Sequence, residues 1–381
     1  MHKLWERLQD RWVAPAYSGG VLLGIGISLF GAATNTMVGW LYVLSGTIFA
    51  LLAIAGISAA RSLTGLQVHR RPLLPVSAGD TLAIHLSLVN PTSKPAALLQ
   101  VWEDLPAALG GPRSQALETL PPGGHQSWTL YPTAQQRGIY HWQTVYLRTA
   151  APLGLFWCRR PRTVPAKAII YPQVLPLRTC PLVNTVSDDQ QFQTETRRYQ
   201  KATEGMTRAL RPYRLGDPTR LIHWRTSARF GVLQVRELET VTSGREVAIA
   251  LDSGSPWPAA QFEQAVTAAA SLYFYASRAQ FDVQLWTAAT GLLRGNQIVL
   301  EALAGTQAGE AAQAEPPWER PLLWLTARPA SLGALAAGSR WLLFAETPTQ
   351  VVVTPDLAMG LVIAPERPLA LQLQTSLGPR G

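Results

Sequence analysis

The sequence predicts a multidomain protein: a two-helix transmembrane hairpin, then an Ig-like antiparallel β-sandwich, then an α/β domain with a parallel sheet. Three observations predict it. Val13 to Ala60 carries no charged residue across 48 positions, enough for two crossings at about 20 residues each. Residues 67–180 hold short runs that alternate apolar with polar between Pro/Gly turns, the pattern of a sandwich. Residues 246–364 then alternate β-branched apolar runs with helical periodicity, which argues a parallel sheet with helices on both faces.

Residues 1–66 form the lead and the hairpin. Met1 to Asp10 is short, polar and amphipathic. Helices are expected near Ala14–Ala33 and Met37–Ala60, parted by Thr34-Asn35-Thr36. Gly24, Gly31, Gly46 and Gly56 would let the helices approach closely. Trp12, Tyr17, Trp40 and Tyr42 fall near the ends, where aromatic belts form. A cleaved signal peptide does not fit, because the first apolar run is too long and a second follows it. Lys3, Arg7 and Arg11 precede the hairpin and Arg61, Arg70 and Arg71 follow it, with no Lys or Arg in the connecting loop. The positive-inside rule then puts the N-terminus and everything after residue 61 in the cytoplasm. The bilayer is the first expected partner, through residues 14–60.

Residues 67–180 are the expected sandwich. Its strands are predicted at 81–90, 97–105, 125–132, 139–149 and 167–174. The Asn90-Pro91 pair turns the chain, and Gly138 and the run Pro152–Phe156 mark corners. His85, His125 and His141 stand alone within or beside strands, as structural or exposed residues do. Residues 181–203 are polar and aperiodic and read as a linker; the whole of 181–245 is taken as linker plus an Arg-rich stretch. The α/β domain, 246–364, has strands at 246–252, 281–287, 321–326 and 340–345 and helices at 258–279 and 297–304. A second linker, 305–320, interrupts it, and 365–381 is a loosely ordered tail.

Charge concentrates before that last domain. The chain has 33 Lys/Arg against 24 Asp/Glu, a formal +9. Residues 197–245 hold eleven of the basic residues and four of the acids, so +7 of the +9 lies there. Such a stretch suits nucleic acid, an anionic membrane surface or an acidic protein partner. Cys158 and Cys180 form no CxxC and no zinc spacing; they read as free thiols in a reducing compartment.

The densest part is Arg211–Glu239, RPYRLGDPTRLIHWRTSARFGVLQVRELE. Asp217 and Pro218 resemble a helix N-cap and first position, so a helix is predicted over Thr219–Phe230, with Leu221, Ile222, Trp224 and Ala228 inward and Arg220, Arg225 and Arg229 outward. A strand is predicted over Val232–Leu238. As chemistry, Asp217 or Glu204 with His223 would make an acid–base couple, an enzyme reading without an evident nucleophile. Stacking on Trp224 and Tyr213 beside the arginines would serve nucleic acid, an odd task for a tethered sandwich protein. The arginines equally suit acids, either Asp217, Glu237 and Glu239 within the chain or those of a partner.

These residues closely resemble a family known as domain of unknown function 58. Its pattern R-x-Y-x-x-G-D-x-x-R-x-I-x-W is met by Arg211, Tyr213, Gly216, Asp217, Arg220, Ile222 and Trp224. Ala228, Arg229, Val235, Glu237 and Glu239 match the segment that follows. The R-G-x-Y of Arg137 to Tyr140 and the P-L-G-L-F of Pro152 to Phe156 agree with the family's layout, so the resemblance covers about residues 10–305. It implies a von Willebrand factor A-like (Rossmann-like) C-terminal domain and partnership with MoxR-type AAA+ ATPases or other A-domain proteins, and no enzyme. An A-domain magnesium site needs D-x-S-x-S. Asp252 is followed two and four residues on by Gly254 and Pro256, so the site is degenerate and no metal or other cofactor is expected. The expected role is a membrane-anchored interaction protein with no nucleic-acid partner, its signature set being Arg211, Tyr213, Gly216, Asp217, Arg220, His223, Trp224, Arg225, Arg229, Glu237 and Glu239.

Overall fold

In the computed structural model the uncharged stretch forms α1 (Tyr17–Thr36) and α2 (Gly39–Ser62), after a two-residue strand β1 (Ala14–Pro15). Both helices are long and apolar enough to cross a membrane, with mean hydropathy of 1.4 and 2.1. The residues described are 13–185, 207–214, 219, 222–238, 246–344 and 359–375. The predicted break at Thr34–Thr36 is instead the last turn of α1: the Thr34 and Thr36 hydroxyls donate to Gly31 O and Ala32 O, so the polar side chains satisfy themselves on the helix. The reversal falls at Met37, in a left-handed conformation. The glycines that sequence put between the helices, Gly24, Gly31 and Gly46, face open space. The close approach is at Gly26, where a Cβ would sit 3.0 Å from Ile48 and 3.1 Å from Phe49.

The chain divides into two units, Met1–Tyr171 and Pro172–Gly381. Beyond the hairpin, the first unit is two sheets around one core. One sheet runs β1-β9-β8-β5-β6 and the other β2-β4-β7, with β2 Gln67–Arg70, β3 Val76–Ser77, β4 Ile84–Val89, β5 Ala96–Glu103, β6 Arg113–Leu120, β7 His125–Leu130, β8 Gly138–Thr149 and β9 Phe156–Tyr171. All pairings are antiparallel except β3 with β9. Alternate residues Ile84, Leu86 and Leu88 meet Leu99, Val101, Val145, Leu147 and Ile170 in the core. β6 was not predicted, since nearly every residue of it is exposed and it carries no alternation. The last strand of the sandwich was expected from 167, yet β9 begins at Phe156 and carries Pro161 and Pro165. β1 pairs only with Phe156 and Trp157, and β3 only with Ile170 and Tyr171, so those prolines sit where β9 is an edge, as prolines must.

The hairpin grows out of this unit. Leu63 and Leu66 at the end of α2 are core residues, and Arg162 from β9 donates to Leu63 O at 2.6 Å and Leu66 O at 3.0 Å, placing a cation at a helix C-terminus. At the other end the P-L-G-L-F run holds the start of α1: Ala16 N donates to Leu155 O at 2.9 Å and Ser18 Oγ to Gly154 O at 2.9 Å. A Cβ on Gly19 would collide with the Leu155 carbonyl. In R-G-x-Y, the Tyr140 hydroxyl donates to Gln136 O and Arg137 O.

The second unit carries a small hairpin and a large sheet. β10 (Thr207–Pro212) pairs antiparallel with β11 (Gln234–Leu238), and α3 (Trp224–Phe230) lies between them in sequence. The sheet runs β14-β13-β12-β15-β16-β17, from β12 Glu246–Leu251, β13 Asp282–Thr287, β14 Gly291–Leu293, β15 Leu323–Thr326, β16 Arg340–Phe344 and β17 Gly360–Ile363. Only the edge strand β14 is antiparallel. Helices α4 (Ala259–Arg278), α5 (Asn296–Gly305) and α6 (Leu369–Leu373) pack on one core. Helices on both faces were expected. Among the described residues the opposite face holds Trp286, Trp324 and Trp341, with Trp318 against them and a 3-10 turn at Pro329–Ala334, so large aromatic side chains fill that side of the sheet. Two further expectations change. Residues 177–183 contribute Leu177, Cys180, Leu182 and Val183 to the main core, and the expected tail contains α6 with buried Leu373.

Candidate functional site

The signature stretch folds as a hairpin with a helix inserted. Ile222 bridges Val235, and both are buried. His223 N donates to Gln234 O at 2.8 Å, which holds the chain in extended form up to the helix. The helix therefore begins at Trp224, not at Thr219. Its N-cap is His223, whose Nδ1 accepts from Thr226 N at 3.2 Å and lies 2.7 Å from the Thr226 hydroxyl. Asp217 with Pro218 lies outside the described residues, as do Gly216, Arg220, Glu239 and the side chain of Glu237.

Starting late rotates the helix. The inward side chain of its first turn is Ser227, which donates to His223 O at 3.0 Å and accepts from Gln234 N at 2.8 Å. Trp224 and Ala228, predicted to face inward, face solvent. Trp224 is 65% exposed and Phe230 67% exposed, with Arg225 and Arg229 exposed beside them in sequence. Leu210, Val232 and Leu233 add exposed apolar surface on the neighbouring strands. Arg211 and Tyr213 are half-buried along β10 and just beyond it, and Tyr213 N donates to Leu233 O at 2.9 Å. Chemically this is a surface of aromatic and guanidinium groups. His223 has committed Nδ1 to the helix start.

A second constellation lies at the carboxyl ends of β12 and β15, where the sheet's winding reverses and α/β proteins place ligands. Asp252 is buried there. Its Oδ2 accepts from the Thr326 hydroxyl at 2.7 Å and from Arg328 Nη2 at 3.4 Å, and its carbonyl accepts from the Trp257 indole at 2.7 Å. Ser253 Oγ accepts from Ala288 N at 2.9 Å. The supposed linker 305–320 closes this end: Gly309 N donates to Ser253 O at 2.8 Å and Ser255 O at 3.0 Å, and Trp318 packs at a tilt against Trp324, ring centroids 4.8 Å apart. Its composition looks like a linker, but its backbone donors belong to the site.

A divalent cation of the A-domain kind does not fit here. Such an ion takes several oxygen ligands with carboxylates prominent. Asp252 Oδ2 already faces a guanidinium, and Gly254 and Pro256 offer no hydroxyl. The Ser255 hydroxyl is buried without a partner among the described residues, but one hydroxyl does not make a ligand set. Among the described residues no group of three or more His, Cys, Asp or Glu lies together. Sequence reasoning missed Thr326 and Arg328; the signal was there, since both follow the strand that neighbours β12 at the winding reversal.

A family model described as "Protein of unknown function DUF58" matches residues 209–294, from the signature hairpin through β14, and supports the resemblance to that family. No curated protein matches the chain. Among solved structures the chain is similar to a β-glucosidase from Listeria innocua in complex with glucose, at 15% identity over 26% of this chain and 16% of that one, with a TM-score of 0.16. It is similar also to the Pseudomonas fluorescens alkylpurine DNA glycosylase AlkC, at 11% identity over 36% of this chain and 40% of that one, with a TM-score of 0.20. A third is the GH20 exo β-N-acetylglucosaminidase from Vibrio harveyi, at 9% identity over 75% and 58%, with a TM-score of 0.17. This chain spans 16% of the length of the first. Likenesses this slight transfer neither fold nor activity.

Proposed function

We propose that this chain is a membrane-anchored, cytoplasm-facing adaptor whose α3 surface docks an acidic protein partner. The observation that carries the reading is the exposure of Trp224 and Phe230 beside Arg225 and Arg229. Trp and Arg are the residue types that concentrate binding energy at protein interfaces, and exposed aromatic surface of this kind has a use in contact. The partner class comes from the family resemblance: a MoxR-type AAA+ ATPase, or an A-domain protein that works with one. The sheet order, the antiparallel edge strand and the acid ending β12 support treating 246–364 as an A-like domain, one in which Arg328 stands where an adhesion domain would use a metal. The two-sheet core supports an Ig-like sandwich in the first unit. No reaction is assigned to the chain, because the ring nitrogen a His223 base would use is the helix cap.

The test is co-purification of the full chain from membranes with a co-expressed MoxR-type ATPase. Arg225→Glu with Arg229→Glu should abolish recovery of the ATPase while the protein stays in the membrane fraction at normal yield. Full recovery with the charge-reversed chain contradicts the reading.

A further inference from the structure

A groove of about 1040 Å³ lies in the first unit between the end of α2 and the β4–β5 loop. Its lining is part apolar and part cationic. Ile54 and Ile57 of α2 and Leu98 of β5 supply apolar walls, and Arg61 at the end of α2 and Lys94 of the β4–β5 loop supply two cations. Among the described residues no acid lines it, and neither Arg61 nor Lys94 has a carboxylate partner.

The walls are held in place. Buried Asn90 donates to Lys94 O at 2.8 Å and accepts from Thr92 N at 3.1 Å, so the loop bearing Lys94 is fixed from beneath. Leu98 is the second device. It is skipped in the pairing of β5 with β6, where Ala97 faces Thr119 and Leu99 faces Leu117. Its φ of 51° is a conformation glycine takes freely and leucine rarely does. This departure from extended backbone leaves Leu98 63% exposed at the groove.

Depth along the helix supplies the rest. The 24 residues of α2 span about 36 Å, against a hydrocarbon core of about 30 Å. In a spanning helix Arg61 therefore sits at headgroup level, with Ile57 and Ile54 a turn and two turns deeper. We infer that this groove binds one anionic phospholipid, its phosphate between Arg61 and Lys94 and its acyl chain along Ile57, Ile54 and Leu98. The site rests on the membrane-anchor reading above and is separate from the α3 surface.

Native mass spectrometry of the detergent-purified full chain, titrated with phosphatidylglycerol or phosphatidylcholine, tests it. The wild-type chain should prefer phosphatidylglycerol, and Arg61→Gln with Lys94→Gln should weaken phosphatidylglycerol about tenfold or more, from two cations near a headgroup. Leu98→Asn suits the left-handed backbone, so it should fold normally and weaken both lipids alike. Equal binding of the two lipids by the wild type, or an unchanged preference in the double variant, overturns the proposal. So does displacement of the lipid by matching concentrations of glycerol phosphate, which would make the site one for free phosphate esters. Alkaline carbonate extraction reads the anchor separately. Retention in membranes with no lipid preference overturns the groove alone; release of the chain overturns both readings.

Discussion

The molecule uses arginine with tryptophan twice, in opposite ways. In the two-sheet unit Arg70 lies over the Trp142 ring at 5.4 Å, pairs with Glu103 and donates to Val164 O, while the Trp142 indole also donates to Glu103. The Arg70 and Glu103 side chains are 2% and 1% exposed. Burial works against both charges, lowering the pKa of Arg70 and raising that of Glu103, with their mutual attraction opposing it. On α3, Trp224, Arg225 and Arg229 meet water instead. The difference teaches that residue type does not mark a contact surface. What marks it is whether the fold has already answered the side chain's demands.

The largest effect should come from breaking the inner cluster. Glu103→Ala leaves a buried guanidinium alone and should lower the stability of the first unit by about 3–5 kcal/mol. Arg70→Met with Glu103→Gln removes both charges and keeps an acceptor for Trp142, so it should recover most of that loss. Thermal unfolding followed by labelling of Cys158, buried in that core, measures it. Equal losses in the single and double variants would mean the pair is stabilising in itself.

Next in size is Ser227→Ala, which strips the hydroxyl joining α3 to β11 and should cost about 1–3 kcal/mol locally. Hydrogen exchange at Gln234 N should rise while the large sheet is unaffected. His223→Asn keeps an N-cap acceptor and should leave partner recovery unchanged. Loss of function in that variant would revive the enzyme reading.

Cys180 lets the second unit be watched in the same way. Burial pushes its thiol up to about 11 from 9.0. The raised value means the fold favours the neutral thiol. That contribution is fully present below about pH 8.5, the unfolded thiol's range, and is lost as pH rises toward 11. Maleimide labelling of folded protein at pH 8 should be slow and should follow unfolding of this core. The smallest effect is at the winding reversal: Arg328→Ala removes a guanidinium that is 55% exposed on that side chain and should cost about 1 kcal/mol or less. Magnesium or chelator should leave the melting of the second unit unchanged; a rise with magnesium would contradict the ligand set described.

The sequence showed the hairpin because 48 uncharged positions admit few other readings, and it showed most strands of both units because burial on one or both faces leaves a pattern. It hid β6, which is exposed on both faces, and the first half of β9, whose prolines suit an edge. It also misplaced the surface of α3. Asp217-Pro218 is a strong local start signal, yet the described α-helix begins only at Trp224, after the Ile222–Val235 bridge and the His223 cap. Local propensity lost to a long-range pairing, and the delay turned Trp224 outward. Arg328 and the loop bearing Gly309 were hidden for a similar reason, since only the sheet order brings them to Asp252.

The central claim is that α3 is a contact surface and no internal joint. The direct measurement is the affinity of the full chain in nanodiscs for a MoxR-type ATPase, with Trp224→Ala beside the wild type and Cys180 labelling as the control for folding. We expect binding about 30-fold weaker or more, as for an interface tryptophan, with labelling unchanged. Unchanged affinity, or faster labelling that shows Trp224 supporting the fold, would contradict it.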